Sequence, residues 1–170
     1  KTTGEAMSRK DWPLWQQAEE REYANLSEHD TFEYIEKDDI PPGRKPIKCV
    51  MKYKTKYNAD NTVDKRKARL VVHGFRQLFG MDYNKTFAPT PFMVTVRLLL
   101  FMCAVLGLIM SSGDICGAFL YSELDEIIYI SLPNGRYARL KKSLYGLKQA
   151  AHNWFNLFAK TVKSAKVKLK

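Results

Sequence analysis

Two strand-like stretches, Ile47–Tyr57 and Val63–Val72, flank the turn sequence Asn58-Ala59-Asp60-Asn61, and this pattern restricts the fold more than any other in the chain. Strand formers on both sides of four turn formers predict a β-hairpin with a four-residue loop. Side chains alternate between faces along a strand. Lys52, Lys54 and Lys56 therefore share one face of the first strand, and Lys65, Lys67 and Arg69 share one face of the second. Like charges opposed across strands destabilise a hairpin. If register puts both rows on one face, a phosphate chain lying over them makes sense of the arrangement; a solvated lysine arm is the alternative.

Charge elsewhere sharpens the question. The 170 residues carry 28 Lys and Arg against 18 Asp and Glu, a net charge of +10. Segment 1–40 is net −6, 41–85 net +9, 86–135 net −3 and 136–170 net +10. Two basic blocks thus bracket a mildly acidic one, and a polyanion is the natural partner, with a solvated basic surface as the alternative. A hydrophobic content of 45% excludes a disordered, collagen-like or low-complexity chain and provides for one domain, or one and a part. Cys49, Cys103 and Cys116 are odd in number and lack C-x-x-C spacing, so neither a disulfide framework nor a zinc site is expected. That usage fits a reducing, intracellular compartment, cytoplasm or nucleus. The chain opens on Lys1 without a charged-then-apolar leader and reads as a piece of something longer.

Ser8-x-x-Asp11 followed by Pro13 predicts a helix start, with Trp15, Ala18 and Leu26 on one face of a helix running to Ser27. A short strand is expected over 31–36. From 92 to 110 the chain is apolar apart from Thr95 and Arg97, but the uncharged run 98–110 has only 13 residues. That is short of the ~18–20 needed to span a bilayer, so a buried core helix is expected and no membrane partner. Segment 109–115 is expected to form a strand delivering Asp114 near its end. Segments 127–131 and Tyr137–Leu140, around Pro133-Asn134-Gly135, predict a second hairpin. In 147–162, Leu147, Trp154, Phe155, Leu157, Phe158 and Val162 make a helical core face, followed by a tail bearing Lys160, Lys163, Lys166, Lys168 and Lys170.

His29, His73 and His152 lie far apart with no second ligand at helical spacing, which argues against a zinc or histidine-base site. No P-loop, dinucleotide or hydrolase-elbow motif is present. Asp114 ends an apolar stretch and precedes Gly117-Ala118-Phe119-Leu120, with cationic blocks on either side. A carboxylate that holds divalent metal, with cations that hold triphosphate and backbone, would suit phosphoryl transfer on nucleic acid. A cap or turn aspartate is the alternative.

The ordered motifs run along nearly the whole chain. They are Trp15-x-x-Ala18 and Glu22-x-x-x-Leu26; Lys65-Arg66-Lys67-Ala68-Arg69-Leu70-Val71 with Gly74-Phe75 and Gln77; and Gly80-x-Asp82-Tyr83 with Thr86-Phe87-Ala88-Pro89. Then come Arg97-x-Leu99-Leu100, Asp114-Ile115-x-x-Ala118-Phe119-Leu120, and Leu144-Tyr145-Gly146-Leu147-Lys148-Gln149-Ala150 ending at Trp154. Together they resemble the reverse transcriptase domain of copia-type long-terminal-repeat retrotransposons.

The resemblance implies an α+β fold, the fingers and partial palm of a right-hand polymerase, with an antiparallel sheet and flanking helices. It divides the chain into an opening helix and strand (1–40), a basic fingers hairpin region (41–92) and a partial palm (93–170). Asp114 takes the place of the first catalytic carboxylate, with Ile115 beside it at a site for two Mg2+ ions. Lys54, Lys67 and Arg69 correspond to the cations that clamp the nucleoside triphosphate, and Phe119 to the residue beneath its sugar, next to Ala118. Lys148 and Gln149, with Gly146, correspond to the segment that meets the incoming nucleotide. Lys52, Lys56, Lys65 and Arg66 complete the nucleic-acid contacts.

The implied partners are an RNA or DNA template-primer, deoxynucleoside triphosphate and the rest of a polyprotein: palm, thumb and RNase H. The family's Tyr-x-Asp-Asp hairpin, which supplies the second metal carboxylate, is missing from these residues. Ala151 and His152 stand where Pro and Arg are usual, Ser122 where Gly is usual, and His73 replaces a small-then-basic step. The expectation is an RNA-directed DNA polymerase fragment, inactive alone; the alternative is a non-catalytic basic nucleic-acid-binding module or domesticated remnant.

Overall fold

The computed structural model describes residues 7, 8 and 10–165, so Lys166, Lys168 and Lys170 of the basic tail lie outside the described residues. Helix α1 (Trp12–Glu28) carries Pro13 in its first turn, where a missing N–H costs nothing. Asp11 occupies the N-cap position without capping: its carboxylate instead accepts from Arg66 at 2.7 Å. Trp15, Ala18, Glu22 and Leu26 form the buried stripe of α1. Strand β1 (Phe32–Ile35) follows, then β2 (Ile47–Tyr57) and β3 (Val63–Val72), the hairpin at the expected bounds. Helix α2 (Met93–Leu106), strands β4 (Tyr129–Ser131) and β5 (Tyr137–Leu140), and helix α3 (Ala150–Ser164) complete the order.

One five-stranded sheet runs β1-β5-β4-β2-β3. It is mixed rather than antiparallel: β2 pairs parallel with β4 through Ile47 opposite Ile130 and Lys48 opposite Ser131. The two hairpins dock first strand to first strand, and the long connection from β3 to β4 allows the parallel pairing. Segments 1–40, 41–92 and 93–170 therefore all contribute strands to the same sheet. One face carries the core. Ile47, Cys49, Met51, Tyr53, Ala68, Leu70 and Val72 of the first hairpin join Trp15, Ala18 and Leu26 of α1 and Ile130, Ala138 and Leu140 of the second. Trp15 meets Tyr53 edge-on at 5.5 Å, an arrangement that aromatic quadrupoles favour.

Three further expectations are corrected. Helix α2 forms but has no buried residue; Phe92 is 81% exposed at its start and Ile109 is 98% exposed just beyond its end. Its helicity is local: Gly107 closes it in the left-handed conformation, with Leu108 N donating to Cys103 O at 2.9 Å. Second, 109–115 is irregular rather than a strand. A strand needs a ladder to join, and on the outer edge of β3 the Leu70 and Val72 N–H groups are already taken by Glu22 and the Tyr145 carbonyl. Third, α3 buries only Ala150 of its own residues, leaving Phe155, Phe158 and Val162 exposed. No helix among the described residues is long and apolar enough to cross a membrane.

Candidate nucleic-acid interface

Register decides what the hairpin presents. Lys52 pairs with Arg69, Lys54 with Lys67 and Lys56 with Lys65, so three rungs of directly opposed cations stand on the face away from the core. Lys67 is half-buried, and burial, then the like charges of Arg69 and Lys56, hold its ammonium below the ordinary lysine value. Glu22 of α1 acts on Lys67 in the opposite sense. Its carboxylate is buried and accepts from the Leu70 N–H at 3.1 Å. Burial pushes its pKa up against the pull of that N–H and of Lys67 and Arg69. A pocket of about 260 Å³ opens here, lined by Glu22, Lys65, Lys67, Cys116, Gly117 and Tyr145 among others.

Tyr145 links the hairpin to the turn beyond Asp114. The Arg69 guanidinium lies over its ring at 4.9 Å, and Phe119 meets the ring edge-on at 5.9 Å. Phe119 and Ala118 sit in a 3-10 turn, Ala118–Tyr121, which Gly117 opens with φ +66°. The structure thus brings Lys67, Arg69, Ala118 and Phe119 around Tyr145 and the pocket.

Other sequence-derived candidates lie differently. Asp114 and Ile115 are exposed in the irregular segment, two residues and one residue before the pocket-lining Cys116. Among the described residues no group of three or more His, Cys, Asp or Glu side chains could hold a metal ion. Arg66 turns to the core face, where it pairs with Asp11 and covers the Trp15 ring at 5.2 Å. Lys148 reaches Tyr83, its ammonium 3.2 Å from the hydroxyl and 4.5 Å from the ring centre. Gln149 is 1% exposed, bonded to Gln77, Asp82 and Glu126.

Sequence reasoning gave Glu22, Tyr145 and Gln77 no role, although all three stand in its motifs. One signal was available: Glu22 is the single charged residue in the otherwise apolar stripe 15, 18, 22, 26. Nothing local foretells that Tyr145 would contact both Arg69 and Phe119.

Residues 30–170 match the family model described as reverse transcriptase (RNA-dependent DNA polymerase). The chain is 36% identical over 155 residues to the retrovirus-related Pol polyprotein from transposon TNT 1-94 of Nicotiana tabacum, covering 86% of this chain and 11% of that protein. It is 32% identical over 123 residues to the Pol polyprotein from transposon RE2 of Arabidopsis thaliana, covering 68% of this chain and 8% of that one. A 60-residue stretch is 45% identical to the truncated transposon Ty1-A Gag-Pol polyprotein of Saccharomyces cerevisiae, covering 32% of this chain and 5% of that protein. The chain therefore spans about a tenth or less of the length of these curated relatives. No solved structure matches it significantly.

Proposed function

The chain belongs to the reverse transcriptase (RNA-dependent DNA polymerase) family, in its copia-type retrotransposon branch, and from that membership we propose that it is the fingers and first palm segment of such a polymerase. Its task in this reading is to hold template-primer phosphates and the incoming deoxynucleoside triphosphate. The observation that carries the reading is the register of the hairpin, which opposes Lys52 with Arg69, Lys54 with Lys67 and Lys56 with Lys65 on one solvent face. Opposed cations cost hairpin stability, and a polyanion laid over them reverses the sign of that term.

Lys52, Lys56 and Lys65 are assigned to strand phosphates. Lys54, Lys67 and Arg69 are assigned to the triphosphate, Ala118 and Phe119 to the underside of its sugar, and Lys148 and Gln149 to the border of that site. Arg66 supports the row from behind by tying β3 to α1. Asp114 is the lone carboxylate among these residues, and no group of three or more metal-ligating side chains forms among the described residues. We assign the remaining carboxylates, thumb and RNase H to the rest of a longer Pol polyprotein.

Two measurements test this. Fluorescence anisotropy of a labelled template-primer should show affinity falling steeply with salt, and each of Lys52→Glu and Lys65→Glu should reduce the log–log slope by about 1. Binding indifferent to salt overturns the interface. Primer extension by residues 1–170 should be absent; extension that disappears in Asp114→Asn overturns the assignment of catalysis to a longer chain.

A further inference from the structure

Between the foot of the hairpin and the start of α3, the chain crosses itself with almost no space. A Cβ on Gly74 would come within 1.9 Å of the Gly146 carbonyl oxygen, and one on Gly146 within 2.2 Å of the Val72 oxygen. The Val72 N–H also donates to the Tyr145 carbonyl at 2.8 Å. These contacts hold segment 144–149 at Tyr145 and Gly146 and leave its Lys148–Gln149 end to be held by other groups.

Gln77 supplies what is missing. It is 4% exposed. Its Oε1 accepts from the Lys148 N–H at 2.8 Å, and its Nε2 donates to Gln149 Oε1 at 2.9 Å and to the Asp82 carbonyl at 3.2 Å. Gln149 answers with its own Nε2, which donates to the same Asp82 carbonyl at 2.7 Å and to Glu126 Oε2 at 3.2 Å. The shared acceptor is itself held, because the Asp82 carboxylate closes its turn on the Leu78 N–H at 2.9 Å and faces Arg44 at 3.5 Å. Both donors and the acceptor of each carboxamide are thus spent inside the protein, so neither side chain has a spare N–H for an outside ligand.

We infer that Gln77 and Gln149 form an interlocked carboxamide pair that positions segment 144–149 against the hairpin, Gln77 acting as a positioning residue for the nucleotide border and Gln149 touching no nucleotide. What is positioned, the border with Tyr145 over Arg69, rests on the function proposed above; the interlock itself does not.

Amide hydrogen exchange on the chain as it stands tests the interlock. Gln77→Met keeps the side chain's length and apolar stem but removes every polar atom. The Lys148 amide should then exchange about tenfold faster, the equivalent of one buried hydrogen bond, while ladder amides such as Met51 keep wild-type rates. Gln77→Glu retains the acceptor, so Lys148 should stay protected. An unchanged Lys148 rate in Gln77→Met, or equal acceleration throughout the sheet, overturns the inference.

The positioning claim is read by titrating dTTP. Gln77→Met and Gln149→Met should weaken binding by the same factor, with the double variant no weaker than either, because both break one unit. A larger loss in Gln149→Met that adds to that of Gln77→Met overturns it, since Gln149 would then touch the nucleotide itself. If dTTP does not bind the wild-type chain, the proposed function fails, and the exchange experiment still decides the interlock.

Discussion

Glu22 shows how one side chain serves the core and the charged surface together. It is the only carboxylate in the buried stripe of α1, it satisfies the outward Leu70 N–H, and it lies within the field of Lys67 and Arg69. Removing it by Glu22→Ala leaves a buried N–H unpaired and should cost about 1–3 kcal/mol in urea unfolding. The pH dependence has a definite sign. Because burial raises the folded pKa above the ordinary 4.5, the folded state holds the proton more tightly than the unfolded one. The contribution of Glu22 to stability is therefore complete below pH 4.5 and declines as pH rises from there through the folded value. Glu22→Gln keeps an oxygen for Leu70 but cannot ionise, so its unfolding free energy should lose that downward step. Parallel urea titrations of both proteins from pH 4 to 7 check this, and identical slopes would contradict it.

At the scale of elements, the hairpin predicts opposite signs for stability and binding. Lys56→Gln relieves one opposed pair, so the chain should gain about 0.2–1 kcal/mol while losing affinity for template-primer. Thermal melting and anisotropy on the same variant measure both, and a concerted loss would mean that the row supports the fold. The crossing of 72–74 with 145–146 predicts the reverse kind of sensitivity. Gly146 has φ +93° and no room for a Cβ, so Gly146→Ala should cost about 2–5 kcal/mol, the left-handed penalty added to overpacking. Gly43, with φ +87° and nothing within 4 Å of a Cβ, should lose only the conformational part on the same substitution. The hairpin's ends and cation rows were legible because period-two alternation and turn residues are local signals. The parallel junction of β2 with β4 was not, since Ile47 and Ile130 meet across 83 residues of chain and no local signal links them. Segment 109–115 misled for the same reason: its apolar pattern suits a strand, but whether an edge is free depends on Glu22 and Tyr145, far away in sequence.

For the molecule as a whole, the most consequential feature is the apolar surface that the sheet leaves uncovered. Sequence predicted the helix at 92–110 through its hydrophobicity, yet hydrophobicity alone does not say what covers a helix. The core face of the sheet is filled by α1 and the turn around Leu120, and α2 has no buried residue among the described contacts. Leu98, Leu99, Phe101, Val105 and Leu106 are each more than half exposed. Soluble monomers seldom show contiguous apolar patches beyond a few hundred Å², and a helix apolar all round is normally covered. At micromolar concentration the chain should therefore bind a hydrophobic dye and self-associate, despite the repulsion expected from its net charge of +10. Because α2 contributes nothing to the buried cluster, a triple Leu99→Gln, Phe101→Gln, Val105→Gln variant should raise the monomer fraction in light scattering with no drop in melting temperature. A fall of several degrees in the melt would show instead that α2 packs on the core, and the sheet would then have a second covered face.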